Sequence, residues 1–457
     1  MYNLSEIAEC VNGKLYGNDK IVSNFSIDSR TIRQDDVFFC IKGERYDGHD
    51  FIKDSLKKAS CIVTAKDIKD INLDKKSYIK VDDTLQALQS VSKYVRNKSS
   101  AKFIAITGSN GKTTVKEMIA HILSDYKICF TQGNLNNHIG VPLTLLSMKQ
   151  NEDYVIVEIG SNNLGEIEPL AKIVNPDVAA VTNIGYAHIE GFGNLKNTAK
   201  EKYSLFKHIK KDGYAVINNQ DKFRKFLGKG NKVYFGEEKN FYNKLKKIAR
   251  NLFYETNFLN IKRKNKNLHE LKIKSSSVNI KLSLNGDHNY YNAACATAIA
   301  VSLGIELNYI KKKLESFKSI SSRLKLFKLD NDIQVIDDCY NANPNSFKAA
   351  ILFLSTLDKK KLVLMGDMVE LGKDTELFHL EIGKYAKTMG IDKFLSIGKN
   401  SKLASDVFGI DGHHFENAEN LKSYLNNNIE PSSRILIKGS RSAKLEEYVE
   451  FLKTRRF

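Results

Sequence analysis

A short apolar run, Phe103-Ile-Ala-Ile-Thr107, meets the loop Gly108-Ser-Asn-Gly111, and apolar residues then recur at helical spacing from Lys112 to Ser124. That order predicts strand, glycine loop and helix. Tyr154-Val-Ile-Val-Glu158 and Val178-Ala-Ala-Val-Thr182 are further runs of buried-strand type, each followed by a loop and helical periodicity, so a mostly parallel sheet covered by helices is expected. An alanine-rich helix is predicted over Ala293–Leu303, closed by Gly304 as its C-terminal cap. From Arg323 onward, strands at Ile333–Ile336, Leu362–Met365, Phe394–Ile397 and Ile435–Lys438 alternate with helical segments beginning near Ser346, Glu376, Ser401 and Ala443. Upstream, 1–99 mixes short strands with helical pieces and ends in a helix over Leu85–Arg96, before the polar linker Asn97-Lys-Ser-Ser100. The pattern predicts an α/β protein of three domains: a mixed α/β domain over 1–99, a central parallel-sheet domain over 100–318 and a Rossmann-like domain over 319–457.

A chain of 457 residues with 42% hydrophobic and 27% charged residues is long enough for several cores, and its composition excludes a disordered or fibrous protein. No apolar run approaches the roughly 20 residues that cross a bilayer, and the first residues lack a signal-peptide pattern, so no membrane insertion and a cytoplasmic location are expected. The six cysteines contain no C-x-x-C pair and are expected to be reduced thiols, mostly buried. The net charge of +18 suits nucleic acid, an anionic surface or polyanionic small substrates. Its lysines are scattered, with local clusters at Lys244–Lys247 and Lys262–Lys274; a compositional bias accounts for them at least as well as nucleic acid does, and no nucleic-acid module accompanies them.

Thr107-Gly108-Ser109-Asn110-Gly111-Lys112-Thr113-Thr114 carries the strongest chemistry. Two glycines let backbone N–H groups approach phosphate oxygens, the helix beginning at Lys112 adds its positive end, and the Lys112 ammonium can meet terminal phosphates. Thr113 is then placed to ligate magnesium. The loop is two residues shorter than a regular Walker loop, with Ile106 where the first glycine would fall.

That shorter form resembles the Mur ligase superfamily, and the resemblance extends over the whole chain. It is carried by Asp28-Ser29-Arg30 and Lys42-Gly-Glu-Arg-Tyr-Asp47-Gly-His49, by Gly133-Asn-Leu-Asn136-Asn137 and Gly140-Val-Pro142, and by Tyr340-Asn341-Ala-Asn343-Pro344, Gly366-Asp367-Met-Val-Glu370-Leu-Gly372 and Lys438-Gly-Ser-Arg441. It implies that the central domain is a P-loop-like ATPase and that the chain uses ATP and magnesium to form an amide through an acyl-phosphate. The member that these stretches look like joins D-alanyl-D-alanine to UDP-MurNAc-tripeptide, giving the pentapeptide precursor of peptidoglycan. A monomer that binds no nucleic acid is expected. A folylpolyglutamate-type ligase of the same superfamily is the alternative, against which the first-domain match argues; an ATP-switched nucleic-acid-binding protein is the alternative from another class.

The resemblance also implies roles for single residues. Lys112, Lys202 and His188 are the catalytic candidates. Gly108, Ser109, Asn110, Gly111, Lys112, Thr113 and Thr114 would hold the ATP phosphates, with Arg323 and Asp338 reaching phosphates and ribose from the third domain. His288, Asn289 and Asn292 would meet the adenine, although Asn289 is equally well placed to cap a helix. Thr113, Glu158, His188 and Lys202 would ligate magnesium, Lys202 as a carbamate, with Lys200 as its competitor two positions earlier. Ser29, Arg30, Lys42, Asp47, Asn136 and Asn137 would contact the muramyl substrate, and Asn341, Asn343, Asp367 and Glu370 the incoming dipeptide. Read alone, Glu158 is a solvated strand end, His188 a structural histidine, and Arg323 or Asp338 a surface ion-pair partner. Departures from the family pattern are Cys339 for Ser, Tyr186 for Glu, and Ile159 and Leu164 where Met and Pro are common.

Overall fold

In a computed structural model of the chain, which describes residues 1–68, 76–223, 231–237, 258–265, 268–273, 275–318 and 324–455, the run at Phe103–Thr107 becomes the strand Lys102–Thr107. It lies between Val178–Val181 and Tyr154–Glu158, parallel to both, in a nine-stranded sheet. Its side chains alternate between two cores: Phe103 and Ala105 face one, Ile104 and Ile106 the other. A strand covered on both faces has no place for a polar alternate, which is why the run is apolar throughout.

Seven strands of this sheet are parallel, from Ile128–Phe130 at one edge to Phe258–Asn265, and Leu268–Ile273 and Ser276–Ile280 add antiparallel beyond it. Of the lysine cluster at 262–274, Lys262 and Lys264 lie on Phe258–Asn265 and Lys272 on Leu268–Ile273, while Lys266 and Lys274 lie outside the described residues. Leu259, Ile261, Leu271 and Ile273 are buried, whereas Lys262 and Lys272 are exposed, so the charges are the solvent face of a hairpin. Lys244–Lys247 lie outside the described residues. Helices Lys112–Ile122 and His288–Ser302 cover one face of the sheet. After Lys102–Thr107 the chain builds strands first on one side of it and then on the other, and ligands favour the crevice that such a reversal opens at the strands' carboxyl ends.

The opposite face is shared with the first module, whose five-stranded sheet runs Lys14–Tyr16, Ser77–Lys80, Cys61–Thr64, Asp36–Phe39, Asn24–Ser26. Helix Thr84–Lys98 places Ala87, Leu88, Val91 and Val95 in one core with Phe103, Val141, Leu145 and Ile167. Buried Arg96 fastens this join, donating to the Val174 carbonyl at 2.7 Å and the Asn175 carbonyl at 2.6 Å, with its guanidinium 4.3 Å from the Phe103 ring centre.

The third module is a six-stranded sheet ordered Lys325–Lys328, Gln334–Asp338, Arg434–Lys438, Lys361–Gly366, Lys393–Ile397, Gly412–Phe415, parallel except for its first pair and covered on both faces. The four strands read from apolar runs are all present. Lys325–Lys328, Gly412–Phe415 and helix Ala418–Asn428 are added to them. All six cysteines are free thiols, four of them buried.

Replacing Arg96 removes donors from two carbonyls at this join. Arg96→Ala is expected to lower stability by about 2 kcal/mol, the scale of unpaired buried polar groups, read as a lower urea midpoint; an unchanged midpoint would show that the join does not depend on it.

Candidate active site

The phosphate-loop sequence is wedged between two other segments at the carboxyl edge of the central sheet. Gly108 has φ +146°, and a Cβ there would stand 2.0 Å from Thr182 Oγ1; Gly111 has φ +82°, and a Cβ there would stand 2.3 Å from Asn292 Oδ1. Only glycine fits either place. The loop is pinned to Thr182–Gly185: Ser109 N–H donates to the Asn183 carbonyl at 2.9 Å, Asn110 N–H to Asn183 Oδ1 at 3.0 Å, and Thr182 Oγ1 to the Asn110 carbonyl at 2.6 Å. Lys112 Nζ donates back to the Gly108 carbonyl at 2.9 Å. The helix Lys112–Ile122 begins at Gly111 with no side-chain cap, which leaves its positive end suited to an anion.

This loop forms one wall of a cavity of about 620 Å³. Ser109 to Thr114, Glu158, His188, His288, Asn289 and Asn292 line it from the central module, and Asp338, Asn341, Asn343 and Lys438 from the third. Asn343 joins the two. It caps helix Pro344–Ser355, accepting from Ser346 N–H, while its Nδ2 donates to Asn110 Oδ1 of the phosphate loop at 2.7 Å. The third module also takes in the loop that carries His188: Ile189 is buried in that module's core, and Tyr186 stacks obliquely on Phe378 with ring centres 4.9 Å apart.

Glu158 is 2% exposed at the end of its strand. Its Oε1 accepts from Asn136 Nδ2 at 2.9 Å, and its Oε2 is buried with no hydrogen-bond partner. An unpaired buried carboxylate oxygen beside a phosphate loop is what a cation site requires. Lys202 is 1% exposed and donates to Ser161 Oγ at 2.7 Å and to the Ser161 carbonyl at 3.2 Å. Burial, with the like charge of Lys112, pushes its pKa well below the usual ammonium range, favouring a neutral amine. Lys200 is exposed, so burial separates the two candidates. Among the described residues no three His, Cys, Asp or Glu side chains cluster as a metal centre of their own. The fit is to magnesium held partly by phosphate oxygens, which needs only one or two protein carboxylates.

Against the other side of the loop, Asn289 lies inside helix His288–Ser302 rather than capping it. Its Nδ2 donates to the Asn285 carbonyl at 2.7 Å, and its Oδ1 accepts from Asn292 Nδ2 at 3.0 Å. Burial lowers the pKa of His288, so the ring is held neutral. Asp338 is paired with Lys438 Nζ at 2.5 Å; this lysine, 2% exposed, also donates to the Asn341 carbonyl at 2.9 Å. Asn137 lines the cavity with its Oδ1 turned to the Ile139 and Gly140 N–H groups.

Other candidates stand elsewhere. The Asp367 carboxylate accepts from Asn400 and Ser401 N–H, and the Glu370 carboxylate lies against His188 Nδ1; neither lines the cavity. Ser29, Arg30, Lys42 and Asp47 belong to the first module, away from the cavity wall, where Arg30 is paired with Asp28 and Asp47 with His49. Arg323 lies outside the described residues. Sequence reasoning missed Ser161, Asn183 and Lys438 as site residues. Only Lys438 carried a signal, in the stretch Lys438-Gly-Ser-Arg441.

Three family models match the chain: "Mur ligase family, catalytic domain" at 21–96, "Mur ligase middle domain" at 106–300 and "Mur ligase, glutamate ligase domain" at 322–441. The UDP-N-acetylmuramoyl-tripeptide--D-alanyl-D-alanine ligase of Escherichia coli K12 is 35% identical over 98% of both chains. Among solved structures, MurF from Acinetobacter baumannii superposes with a TM-score of 0.88 at 29% identity over 99% of both chains. The MurF ligase of Thermotoga maritima in complex with ADP superposes at 0.81 and 25% identity, over 95% of this chain and 97% of that one.

Because its Cβ would collide with Asn292, Gly111→Ala should displace the loop and weaken binding of a non-hydrolysable ATP analogue by about tenfold or more, the equivalent of 1–2 kcal/mol of left-handed strain. Calorimetric titration reads this directly, and wild-type affinity would remove the loop from the nucleotide site.

Proposed function

Since the chain belongs to the Mur ligase family, we propose that it joins D-alanyl-D-alanine to UDP-MurNAc-tripeptide at the expense of ATP, forming the UDP-MurNAc-pentapeptide precursor of peptidoglycan. The observation that carries this reading is a single cavity onto which the phosphate loop, Glu158 and the Tyr340–Asn343 stretch of the third module all open. The E. coli relative, matched from end to end, favours it over a folylpolyglutamate-type ligase. In this reading 1–99 binds the UDP-muramyl-peptide, 100–318 binds ATP, and 319–457 brings the dipeptide. The same reading puts the reaction where ATP is made available to it, in the cytoplasm. No helix among the described residues is long and apolar enough to cross a membrane.

The tripeptide carboxylate attacks the γ-phosphorus, ADP leaves, and an acyl-phosphate forms. The dipeptide amine then adds to the acyl carbon and inorganic phosphate departs. Both steps gather negative charge, so fixed positive charge and orientation do most of the work. The loop amides and Lys112 cradle the phosphates. Lys438 holds Asp338 and the Tyr340–Asn343 stretch in place from the other side. Thr113, Glu158, His188 and Lys202 are the residues that would hold magnesium, which when bound supplies positive charge against the phosphate oxygens. The neutral, buried Lys202 amine suits reaction with CO2: the new N–C bond releases one proton and leaves an anionic carbamate oxygen. An ammonium at this place would repel the metal.

Three outcomes test the proposal. ADP release should need both UDP-MurNAc-tripeptide, with lysine or diaminopimelate at its third residue, and D-alanyl-D-alanine; vigorous hydrolysis with neither would sink it. Lys112→Ala should lower kcat by roughly 100-fold or more, the scale for one transition-state charge contact, and an unchanged kcat would exclude Lys112 from the chemistry. Lys202→Ala should lose most activity and regain part of it with a small carboxylate such as acetate, while Lys200→Ala loses little. A fully active Lys202→Ala enzyme would refute the carbamate.

A further inference from the structure

Two non-glycine residues with left-handed backbone meet between the central and third modules. His188 has φ +54° and Glu370 φ +62°. This conformation is costly for an ordinary L-residue, and it persists where the surroundings over-determine it. Here they do. Glu190 N–H donates to the Glu370 carbonyl at 3.1 Å, and His188 Nδ1 sits against the Glu370 carboxylate. That nitrogen is buried and meets Glu370 in a close contact outside hydrogen-bond geometry, while the His188 ring lines the cavity, so Nε2 is the nitrogen left to face a ligand there.

The loop that carries Glu370 is itself held rigid. Met368 N–H donates to His379 Nε2 at 3.1 Å, and His379 Nδ1–H donates to the Thr375 carbonyl at 2.7 Å. Val369 N–H donates to Ser440 Oγ at 3.0 Å, and Asp367 is tied to Asn400 and Ser401. A metal-ligating histidine is ordinarily oriented by a carboxylate or carbonyl at its other ring nitrogen.

We propose that Glu370 is a positioning residue for His188: a carboxylate of the third module that fixes the ring whose second nitrogen serves the metal site of the central module. The ligand set is then complete only when the third module is docked, and charge neutralisation at the phosphates is tied to arrival of the module that brings the amine. This rests on His188 being a metal ligand, as proposed above. It also replaces the expectation that Glu370 touches the dipeptide, which leaves a different kinetic signature.

The test titrates Mn2+ into the protein with a non-hydrolysable ATP analogue, following free Mn2+ by electron paramagnetic resonance, and measures kcat and KM separately. Glu370→Ala should weaken Mn2+ binding and lower kcat by about 10- to 100-fold, with the near-isosteric Glu370→Gln intermediate and the KM for D-alanyl-D-alanine unchanged. Wild-type Mn2+ binding in both variants overturns the inference, and a raised dipeptide KM beside it would return Glu370 to the dipeptide site. His188→Ala is the control. Loss of Mn2+ binding there while the Glu370 variants bind normally overturns this inference alone; retained binding in His188→Ala overturns the metal-ligand reading along with it.

Discussion

A carboxylate and a triphosphate repel each other, and the site is organised around bringing these two anions into contact. In water their charges would be screened; in a half-enclosed cavity they must be met by groups already in place. The loop amides, the positive end of the Lys112 helix and the Lys112 ammonium form one fixed wall, set by glycines that admit no Cβ and by bonds to Thr182–Gly185. Beside this wall Glu158 keeps one buried oxygen without a hydrogen-bond partner, and burial with the like charge of Lys112 keeps the Lys202 amine from charging; in the proposed reading both serve magnesium.

The second wall belongs to another module, and three independent contacts bring it there. Asn343 reaches Asn110, Tyr186 and Ile189 are packed into the third core, and Glu370 meets His188. The segment Tyr186–Leu195 belongs to the central module by chain order and to the third by packing. In the proposed reading the third module brings the amine to a hydrolysable acyl-phosphate, and an arrangement in which the same module completes the site suits that task.

Much of this was legible in the sequence where the constraint is local. Phe103–Thr107 and Tyr154–Glu158 are apolar on both faces because both faces are covered, and Gly108–Thr114 carries its geometry in its glycines. What stayed hidden depends on partners far along the chain. Lys438 reads as the end of a strand until Asp338, 100 residues earlier, is seen to neutralise it. Asp367 and Glu370 read as substrate contacts in the sequence, which gave no sign that Asn400 and Ser401 stand against one and His188 against the other. The hairpin of Leu268–Ile273 and Ser276–Ile280 was hidden among polar residues such as Lys272 because only one face of it is buried. Family spacing pointed to Lys202 over Lys200, and of the two only Lys202 is buried, which no local pattern shows.

Transfer of oxygen from the peptide to phosphate tests most directly whether the two anions meet. With UDP-MurNAc-tripeptide labelled with 18O at its terminal carboxylate, attack on the γ-phosphorus makes a P–O bond to a labelled oxygen, and that oxygen leaves with phosphate when the amine displaces it. One 18O per inorganic phosphate, found by mass spectrometry after turnover with D-alanyl-D-alanine, is the predicted result; unlabelled phosphate released alongside product would contradict the account.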